Sequence, residues 1–336
     1  MFRFLRNSLA LVLLVAAVAG AFLYSELNKP YGDFPEPVVF EYVRGASGNE
    51  TAAALEELGV VRSRWHFLAA RALRPGTVLM AGEYRFSAAD TPAGIVSRFA
   101  AGDVFLRPLT IPEGLTRFEV SSLVAAAGYA GEDEFLQLTA DPTPIQDLFP
   151  EAKSLEGLLF PETYSLAKTA TGEQILAAML ANFRQAFEAA SRDVETDLSP
   201  YETLTLASLI EKESGVPSER PLISAVFHNR LQRGMLLQCD PTIIYGLILE
   251  DRYRGTILLD DLKDPHPYNT YVHAGLPPGP IANPSAESLR AALAPADSDY
   301  IFFVANPGGA GDHSFSSTLS EHNQAVARLR ASRGTQ

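Results

Sequence analysis

The chain has 336 residues, of which 47% are hydrophobic, and a formal net charge of −13. This length predicts about two domains, each with enough apolar residues for an ordinary core. No lysine or arginine cluster stands out beyond the N-terminus, which argues against nucleic-acid binding, because phosphates need a basic face. With a single cysteine, Cys239, the chain can form neither an internal disulfide nor a zinc site built from several thiolates.

The N-terminal residues predict a membrane anchor. Two arginines precede an uncharged run at residues 8–24, which at roughly 17 residues is at the short end for a spanning helix. Arginines before this run and acidic residues after it favour an N-terminus inside the cell. The small residues 17–19 also suit a signal-peptidase site, but the apolar stretch continues through Leu23 and Tyr24, so we favour an uncleaved anchor. In either case, everything after about Lys29 is expected to lie outside the cytoplasm.

The first predicted domain is small. Residues 28–37 hold three prolines and one glycine, which predicts a linker between the anchor segment at 1–27 and a domain at 38–114. The order of strands and helices in this domain suits a small α+β binding module. The predicted strands lie at 38–43, 82–86 and 106–111, and the predicted helices at 49–58, 62–72 and 91–101.

The second predicted domain is larger and mainly helical. Residues 115–154 predict short connecting helices, and the domain itself covers 155–330 with one strong strand at 300–305. A proline-rich segment at 264–284 predicts a rigid loop rather than a flexible linker. The predicted helices of this domain lie at 172–190, 201–214, 220–233, 285–294 and 317–330.

Residues 203–246 carry the first indication of chemistry. An apolar run at 204–210 leads into Glu211-Lys212-Glu213, and apolar residues on nearly every side predict a helix enclosed by protein. A carboxyl at the end of such a helix tends to have a raised pKa, as a general acid requires. Glu211 and Glu213 are two residues apart and point in different directions, so the pattern does not choose between them. A helix-end salt bridge is the structural alternative for either.

Further polar clusters in the larger domain suit a carbohydrate. Carboxylates and amides bind sugar hydroxyls, and aromatic rings stack on the C–H faces of sugars. The clusters are Glu156-Gly157 with residues 160–164, Glu211-Lys212-Glu213, His228-Asn229-Arg230, Gln238 with Asp240 and Tyr245, Tyr268-Asn269-Thr270-Tyr271, and His313 with Glu321.

In this order the clusters resemble the YceG-like endolytic murein transglycosylases (the MltG family), membrane-anchored bacterial enzymes that cut the glycan strands of peptidoglycan. The domain at 38–114 is similar, more loosely, to the LysM-like region of that family. The resemblance therefore implies an α+β fold with an N-terminal transmembrane helix, a small LysM-like α+β module and a larger, mainly helical catalytic domain with a short sheet. The matching stretches, which cover residues 155–323 almost continuously, are EGLLFPETY, ASLIEKES, VFHNRL, GMLLQCDPTIIYG, YNTYVHAGLPPGPIANPS and HSFSSTLSEHN.

The resemblance also implies a reaction that needs no cofactor. In that family the essential acid is the second glutamate of the triplet, which here is Glu213. It would protonate the oxygen of the β-1,4 bond between N-acetylmuramic acid (MurNAc) and N-acetylglucosamine (GlcNAc). The muramyl C6 hydroxyl would then attack C1 and give its proton to the same glutamate, leaving a 1,6-anhydroMurNAc end. One carboxyl suffices because the nucleophile is already part of the substrate.

By family analogy, such an enzyme ends the elongation of nascent strands beside the peptidoglycan synthases. The resemblance implies a single-pass protein of the inner (cytoplasmic) membrane whose catalytic domain faces the periplasm or the cell exterior. Its expected partners are peptidoglycan glycan strands, the membrane and those synthases, and no nucleic acid.

Several polar residues of the matched stretches are candidates for substrate binding, and each has a structural alternative. The alternatives are a tie between helix and loop for Asn229, a helix cap for Asp240 and core packing for the tyrosines. Histidines and acidic residues share no metal-ligand spacing, so no metal is predicted, and Cys239 is expected to be a packed thiol. The candidates for a second acid that stabilises positive charge at C1 are Glu162, Asp240 and Glu321. The predicted substrate-binding residues are Asn229, Gln238, Asp240, Tyr245, Asn269, Tyr271, Glu162 and His313.

Two other functions fit parts of the pattern. A non-catalytic, membrane-tethered peptidoglycan-binding scaffold of the wall-synthesis machinery would keep a glycan-binding groove without the acid. The complete Glu211-Lys212-Glu213 motif argues against this alternative. A glycoside hydrolase would use the same acid with water and would leave reducing ends.

Overall fold

The computed structural model of the chain describes residues 2–308 and 311–333. The chain forms two compact units, of which one comprises Met1–Pro108 with Ser165–Thr169 and the other Leu109–Tyr164 with Ala170–Gln336. Over the described residues the architecture is mainly helical, with three two-stranded sheets. The predicted combination of helices and small sheets is confirmed, whereas the LysM-like character of the first module stays a prediction.

The first unit begins with a long apolar helix, α1 (Phe2–Leu27). Within it, Arg6–Leu27 is long and apolar enough to cross a membrane, and the most apolar part of this stretch is not buried in protein. At the far end of α1, Leu27 packs into the core of the first unit. This helix is consistent with the predicted membrane anchor.

The rest of the first unit is a strand pair packed against helices. Strands β1 (Val38–Tyr42) and β2 (Gly82–Phe86) are antiparallel, with Val38 opposite Phe86. The other elements are α2 (Gly48–Glu57), α3 (Arg64–Ala72), α4 (Pro92–Ala101) and β3 (Leu106–Thr110). Phe99 of α4 lies at the centre of the core, where its ring contacts the rings of Phe40, Tyr42, Phe67 and Tyr84 at centroid distances from 4.1 to 6.0 Å.

The second unit is built mainly from helices. Strands β3 and β4, whose residues are divided between the two units, pair with each other, and β5 pairs with β6 as an antiparallel hairpin. The elements in chain order are α5 (Arg117–Ala126), α6 (Glu132–Ala140), β4 (Thr163–Ala167), α7 (Gly172–Ser191), α8 (Pro200–Glu213), α9 (Arg220–Gln232), α10 (Asp240–Leu249), α11 (Ala286–Leu293), β5 (Phe302–Ala305), β6 (His313–Ser316) and α12 (Leu319–Arg333).

Helix α8 lies at the centre of the second unit. Ser199 and Glu202 form a capping box at its start, and Pro200 occupies the first turn, which together fix where the helix begins. Every residue from 203 to 211 is buried, because α8 packs against α9, α10 and α11. The predicted enclosed helix is therefore confirmed, and it ends at Glu213.

The β5–β6 hairpin approaches the end of α8 very closely. In the hairpin, Ala305 lies opposite His313. A Cβ atom at Gly215, just beyond α8, would lie 2.5 Å from the carbonyl oxygen of Gly311. Only glycine permits this approach of two backbone segments without a shift of one of them.

Candidate active site

The last turn of α8 directs its two glutamates into different surroundings. Glu211 is buried, and its carboxylate accepts hydrogen bonds from the Ser285 amide at 2.8 Å and the Ser285 hydroxyl at 2.5 Å. Its other oxygen pairs with the buried guanidinium of Arg220 at 3.1 Å. Burial by itself raises the pKa of Glu211, but the Ser285 hydrogen bonds and the Arg220 charge outweigh burial and lower that pKa. Glu211 is therefore a carboxylate that ties α8 to the starts of α9 and α11.

Glu213 has the opposite balance. Its side chain is partly buried, and the loss of solvation raises its pKa to about 6. The Cys239 thiol donates a hydrogen bond that works against this rise. The charge of Asp240 adds to the rise, while His313 and Arg230 oppose it. Glu213 is thus the carboxyl of the pair that carries a proton closer to neutral pH, as a general acid must.

Three of the predicted substrate-binding residues gather around Glu213. Asp240 stands at the start of α10, and His313 begins β6. Tyr271 donates its hydroxyl proton to Asp240 in a 2.6 Å hydrogen bond. Burial first, and then the neighbouring Asp240 and Glu213, raise the pKa of Tyr271, so it stays a neutral donor. The structure thus brings two carboxyls, a phenol and an imidazole together.

Gln238 precedes α10 in a strained conformation. Its φ of 50° lies in the left-handed region, which costs a residue other than glycine roughly 1–3 kcal/mol. The backbone amide of Gln238 donates to the Thr270 carbonyl at 3.1 Å. The backbone amide of Cys239 donates to the Thr270 hydroxyl at 3.0 Å. On the preceding side, Arg230 donates to the Leu237 carbonyl at 2.7 Å. These bonds hold the backbone in place and leave the Gln238 side chain exposed next to the start of α10.

Asn229 and Asn269 use their side-chain amides to hold loops. Asn229 donates to two backbone carbonyls in the loop at 298–300, at 2.8 and 2.9 Å. Asn269 is buried, donates to two carbonyls in the loop at 261–264, and accepts a 2.9 Å hydrogen bond from the Tyr271 amide. Both amides therefore position the polypeptide around the site, and Asn269 does so directly for Tyr271.

Tyr245 and Glu162 make other contacts. Tyr245 is buried and donates its hydroxyl proton to Glu156 at 3.0 Å. Burial raises the pKa of Glu156 to about 7 against the effect of this bond. Glu162 is exposed, and it lines a groove of about 350 Å³ together with Glu113 and Glu287. Of the two remaining candidates for a second acid, Asp240 faces Glu213, whereas Glu321 accepts a 3.1 Å hydrogen bond from the amide that precedes α12.

Glu219 is a site residue that the sequence did not indicate. Its carboxylate accepts a 3.0 Å hydrogen bond from the backbone amide of His313 and lies 2.8 Å from Nδ1 of the same residue. The two contacts fix the imidazole ring and leave Nε2 as the ring nitrogen for another partner. Glu219 ends the short turn Pro217–Glu219 before α9, in no recognisable motif. Its role arises only because β6, far along the chain, returns to this turn.

The chemistry that these groups offer is proton transfer and hydrogen bonding to a polar ligand. A carboxyl with a pKa of about 6 exchanges its proton readily near neutral pH. Across residues 2–308 and 311–333, no three histidine, cysteine, aspartate or glutamate side chains are grouped as metal ligands would be. The site is thus defined by an acid at the end of a buried helix, bordered by hydrogen-bonding side chains.

An enclosed helix that ends in an acid, with a polar border of this kind, is suited to proton transfer to a polar ligand. The chain belongs to the YceG-like family, whose sequence model matches residues 40–328. The predicted resemblance is therefore confirmed, and the match covers both compact units.

Named relatives agree with this assignment. The chain is 30% identical over 335 residues to the endolytic murein transglycosylase of Bacillus subtilis strain 168, covering 94% of this chain and 92% of that relative. It is 29% identical over 312 residues to the endolytic murein transglycosylase of Streptococcus pneumoniae strain D39, covering 84% of this chain and 56% of that relative. These names place both relatives among the lytic transglycosylases, the enzyme class predicted for this chain.

A solved structure supports the fold. The crystal structure of a YceG-like protein from Listeria monocytogenes superposes with a TM-score of 0.58 at 34% sequence identity. The superposition covers 86% of this chain and 99% of the Listeria chain.

Proposed function

We propose that this chain is an endolytic peptidoglycan lytic transglycosylase in which Glu213 acts as both acid and base. The observation that carries the proposal is the position of Glu213 at the end of the enclosed helix α8, where burial raises its pKa to about 6. Family membership and the names of the relatives supply the substrate class. The proposed bond is the β-1,4 linkage from MurNAc to GlcNAc.

In the first step, the protonated Glu213 gives its proton to the glycosidic oxygen as the bond to C1 breaks. Burial favours the protonated form of this carboxyl before the substrate binds. Glu211 is unsuited to the same task, because Ser285 and Arg220 stabilise its ionised form. The role proposed for the Asp240 carboxylate is to stabilise the positive charge that develops at C1.

In the second step, the ionised Glu213 accepts the proton of the muramyl C6 hydroxyl while the C6 oxygen bonds to C1. The ring closure leaves a 1,6-anhydroMurNAc end and returns Glu213 to its protonated form, so protons balance over the cycle. Because the nucleophile belongs to the bound sugar, its effective concentration is high and no second base is needed.

The other predicted residues divide into two proposed roles. The polar groups of Tyr271 and His313 lie close to Glu213, and Gln238 directly precedes Cys239. We propose that Gln238, Tyr271 and His313 contact sugar hydroxyl or acetamido groups. Asn229, Asn269 and Tyr245 hydrogen bond within the protein and are proposed to position those contacts. Glu162 is proposed to bind a more distant part of the glycan strand, through the groove that it lines.

The cellular part of the proposal places this reaction at the membrane. Helix α1 would remain as a single-pass anchor in the cytoplasmic membrane, with both units on the outer side, facing the periplasm or the cell exterior. An anchored enzyme of this kind would cut strands soon after they leave the peptidoglycan synthases and so end their elongation.

Product analysis on purified glycan strands tests the proposal. Wild type and Glu213→Gln are incubated with the strands side by side, and the new ends are identified by mass spectrometry. We expect 1,6-anhydro ends with wild type and no new ends with Glu213→Gln. Reducing ends would indicate a hydrolase, and strand binding without cleavage by wild type would indicate a scaffold; either outcome contradicts the proposal.

A further inference from the structure

Helix α3 of the first unit begins with an exposed aromatic side chain. Trp65 is the only tryptophan of the chain, and it is 71% exposed in the first turn of α3. Tryptophan is usually well buried, because its large ring gains from leaving water. The exposed ring of Trp65 is therefore available for contact with a partner.

The start of α3 is fixed to the end of the apolar helix α1. Glu26, one residue before the end of α1, pairs with Arg62 at 3.9 Å, and its carboxylate lies 3.7 Å from Nε2 of His66. Trp65 directly precedes His66. Glu26 is two residues beyond the uncharged run at 8–24, which is about 3 Å along the helix axis. If α1 spans a bilayer, these contacts hold the first turn of α3 where the hydrocarbon gives way to headgroups.

The charges around this turn suit a membrane surface. Arg62 and Arg64 expose about half of their side chains, at 51% and 52%, and Lys29 is also exposed. Arg62 pairs with Glu26 and Arg64 with Glu56, and Lys29 lines the same small pocket as Arg62, in a chain whose formal net charge is −13. Local excess of positive charge attracts anionic headgroups, and the amphipathic ring of tryptophan prefers the same depth.

We infer that the first turn of α3 is a second membrane contact, in which Trp65 enters the headgroup region of the bilayer that holds α1. Arg62 and Arg64 would face the phosphates of anionic lipids. The inference rests on the proposal that α1 stays as a membrane anchor, and it does not depend on the catalytic role of Glu213. Two points of attachment fix how the first unit is oriented on the membrane, which one helix cannot do.

Fluorescence of the single tryptophan tests this contact in the full chain. The protein is reconstituted into vesicles of phosphatidylcholine and phosphatidylglycerol in equal amounts, and flotation shows whether it stays with the lipid. We expect blue-shifted Trp65 emission, strong quenching by lipids labelled at the headgroup, weaker quenching by lipids labelled at the chain end, and protection from iodide. Vesicles of phosphatidylcholine alone should give less protection.

A control at the other end of α3 distinguishes a specific contact of Trp65 with the lipid from general proximity of the first unit to the vesicle. Leu73 is 64% exposed and lies eight residues after Trp65, which is about 12 Å along the helix. The double variant Trp65→Phe, Leu73→Trp should be quenched more by iodide and less by headgroup-labelled lipids than wild type. Equal quenching at the two positions would overturn the inference.

The remaining outcomes separate this inference from the proposed anchor. A chain that floats with the vesicles while iodide reaches Trp65 freely overturns the lipid contact and leaves the anchor standing. A chain that does not float overturns both. A blue shift produced by glycan strands in the absence of lipid would assign Trp65 to the glycan and overturn the membrane contact.

Discussion

The two glutamates in the last turn of α8 lie in different surroundings, which shift their pKa values in opposite directions. On one face, Glu211 meets Arg220 and two donors from Ser285, and its pKa is lowered. On the other face, Glu213 meets one thiol donor and the carboxylate of Asp240, and its pKa rises to about 6. Burial raises both pKa values, so the difference lies in how well the ionised form is compensated. A buried carboxyl becomes a candidate acid when its surroundings leave the charge undercompensated.

The largest expected effect is on catalysis. Glu213→Gln keeps the shape of the side chain and removes its exchangeable proton, so we expect product formation to fall by about 10²–10⁴-fold. A glycan-strand assay measures the rate, and a melting curve should show a folded protein. Glu188→Gln, at a helix carboxylate exposed by 76%, is the matched control and should keep full activity. Undiminished cleavage by Glu213→Gln would remove Glu213 from the mechanism.

Replacement of the other glutamate, Glu211, by glutamine should lower the stability of the protein rather than its activity. Glu211→Gln leaves the buried Arg220 without its buried partner, which should cost about 3 kcal/mol of unfolding free energy. Denaturant unfolding measures the loss, and activity per folded molecule should be largely kept. Glu113→Gln removes the half-exposed partner of Arg220, at 3.2 Å, and should cost less than about 1 kcal/mol. Equal losses of unfolding free energy in the two variants would contradict the structural role assigned to Glu211.

The two glutamates should also give opposite dependences of stability on pH. Glu213 has a raised pKa, from 4.5 to about 6, so its contribution is fully present below 4.5 and is lost as the pH rises through 6. With allowance for partial exposure, we expect a loss of about 1–2 kcal/mol. Glu211 has a lowered pKa, so its contribution is present above 4.5 and is lost as the pH falls.

Unfolding free energies of wild type and Glu213→Gln, measured from about pH 4 to pH 7, test this sign. Subtracting the two series isolates Glu213 from other titrating groups, including Glu156. The stability of wild type relative to the variant should decrease as the pH rises. A constant difference, or one of the opposite sign, would show that the pKa of Glu213 is not raised.

The smallest expected effect concerns the thiol beside Glu213. Cys239→Ala removes a hydrogen bond that stabilises the ionised Glu213, so the pKa of that carboxyl should rise further. Since the protonated form is the proposed acid, the fall of kcat/KM with increasing pH should move upward by less than about one pH unit. Cys239→Ser keeps a donor and should shift less than Cys239→Ala. A downward shift in Cys239→Ala would contradict the role of the thiol as a donor.

Local sequence patterns were sufficient for the long helices. The predicted helix at 172–190 corresponds to α7 (Gly172–Ser191), and that at 220–233 to α9 (Arg220–Gln232). The continuous apolar run before Glu211 likewise predicted that α8 is enclosed. Strand β4 was not predicted, because it has only five residues and pairs with β3, more than 50 residues earlier in the chain. Strand β6 was not predicted either, because its four residues are too short for a clear alternating pattern.

The site was harder to predict from the sequence, because it depends on contacts between residues that are far apart in the chain. Which glutamate has the raised pKa is decided by Ser285, 74 residues from Glu211 in sequence, and by Arg220. Local spacing holds no information about such a contact, and only the family resemblance selected Glu213. The same limit applies to Glu219, which becomes a partner of His313 through a separation of 94 residues.

The approach of Gly215 to Gly311 has a consequence for the spacing between Glu213 and His313. Glu213 lies two residues before one of these glycines, and His313 lies two residues after the other, so the acid and the imidazole are spaced by a contact that involves no side chain. A methyl group at position 215 would clash with the Gly311 oxygen, at a distance of 2.5 Å, and would push the hairpin outward. The spacing between the proposed acid and the imidazole can therefore be adjusted at a position that belongs to neither group.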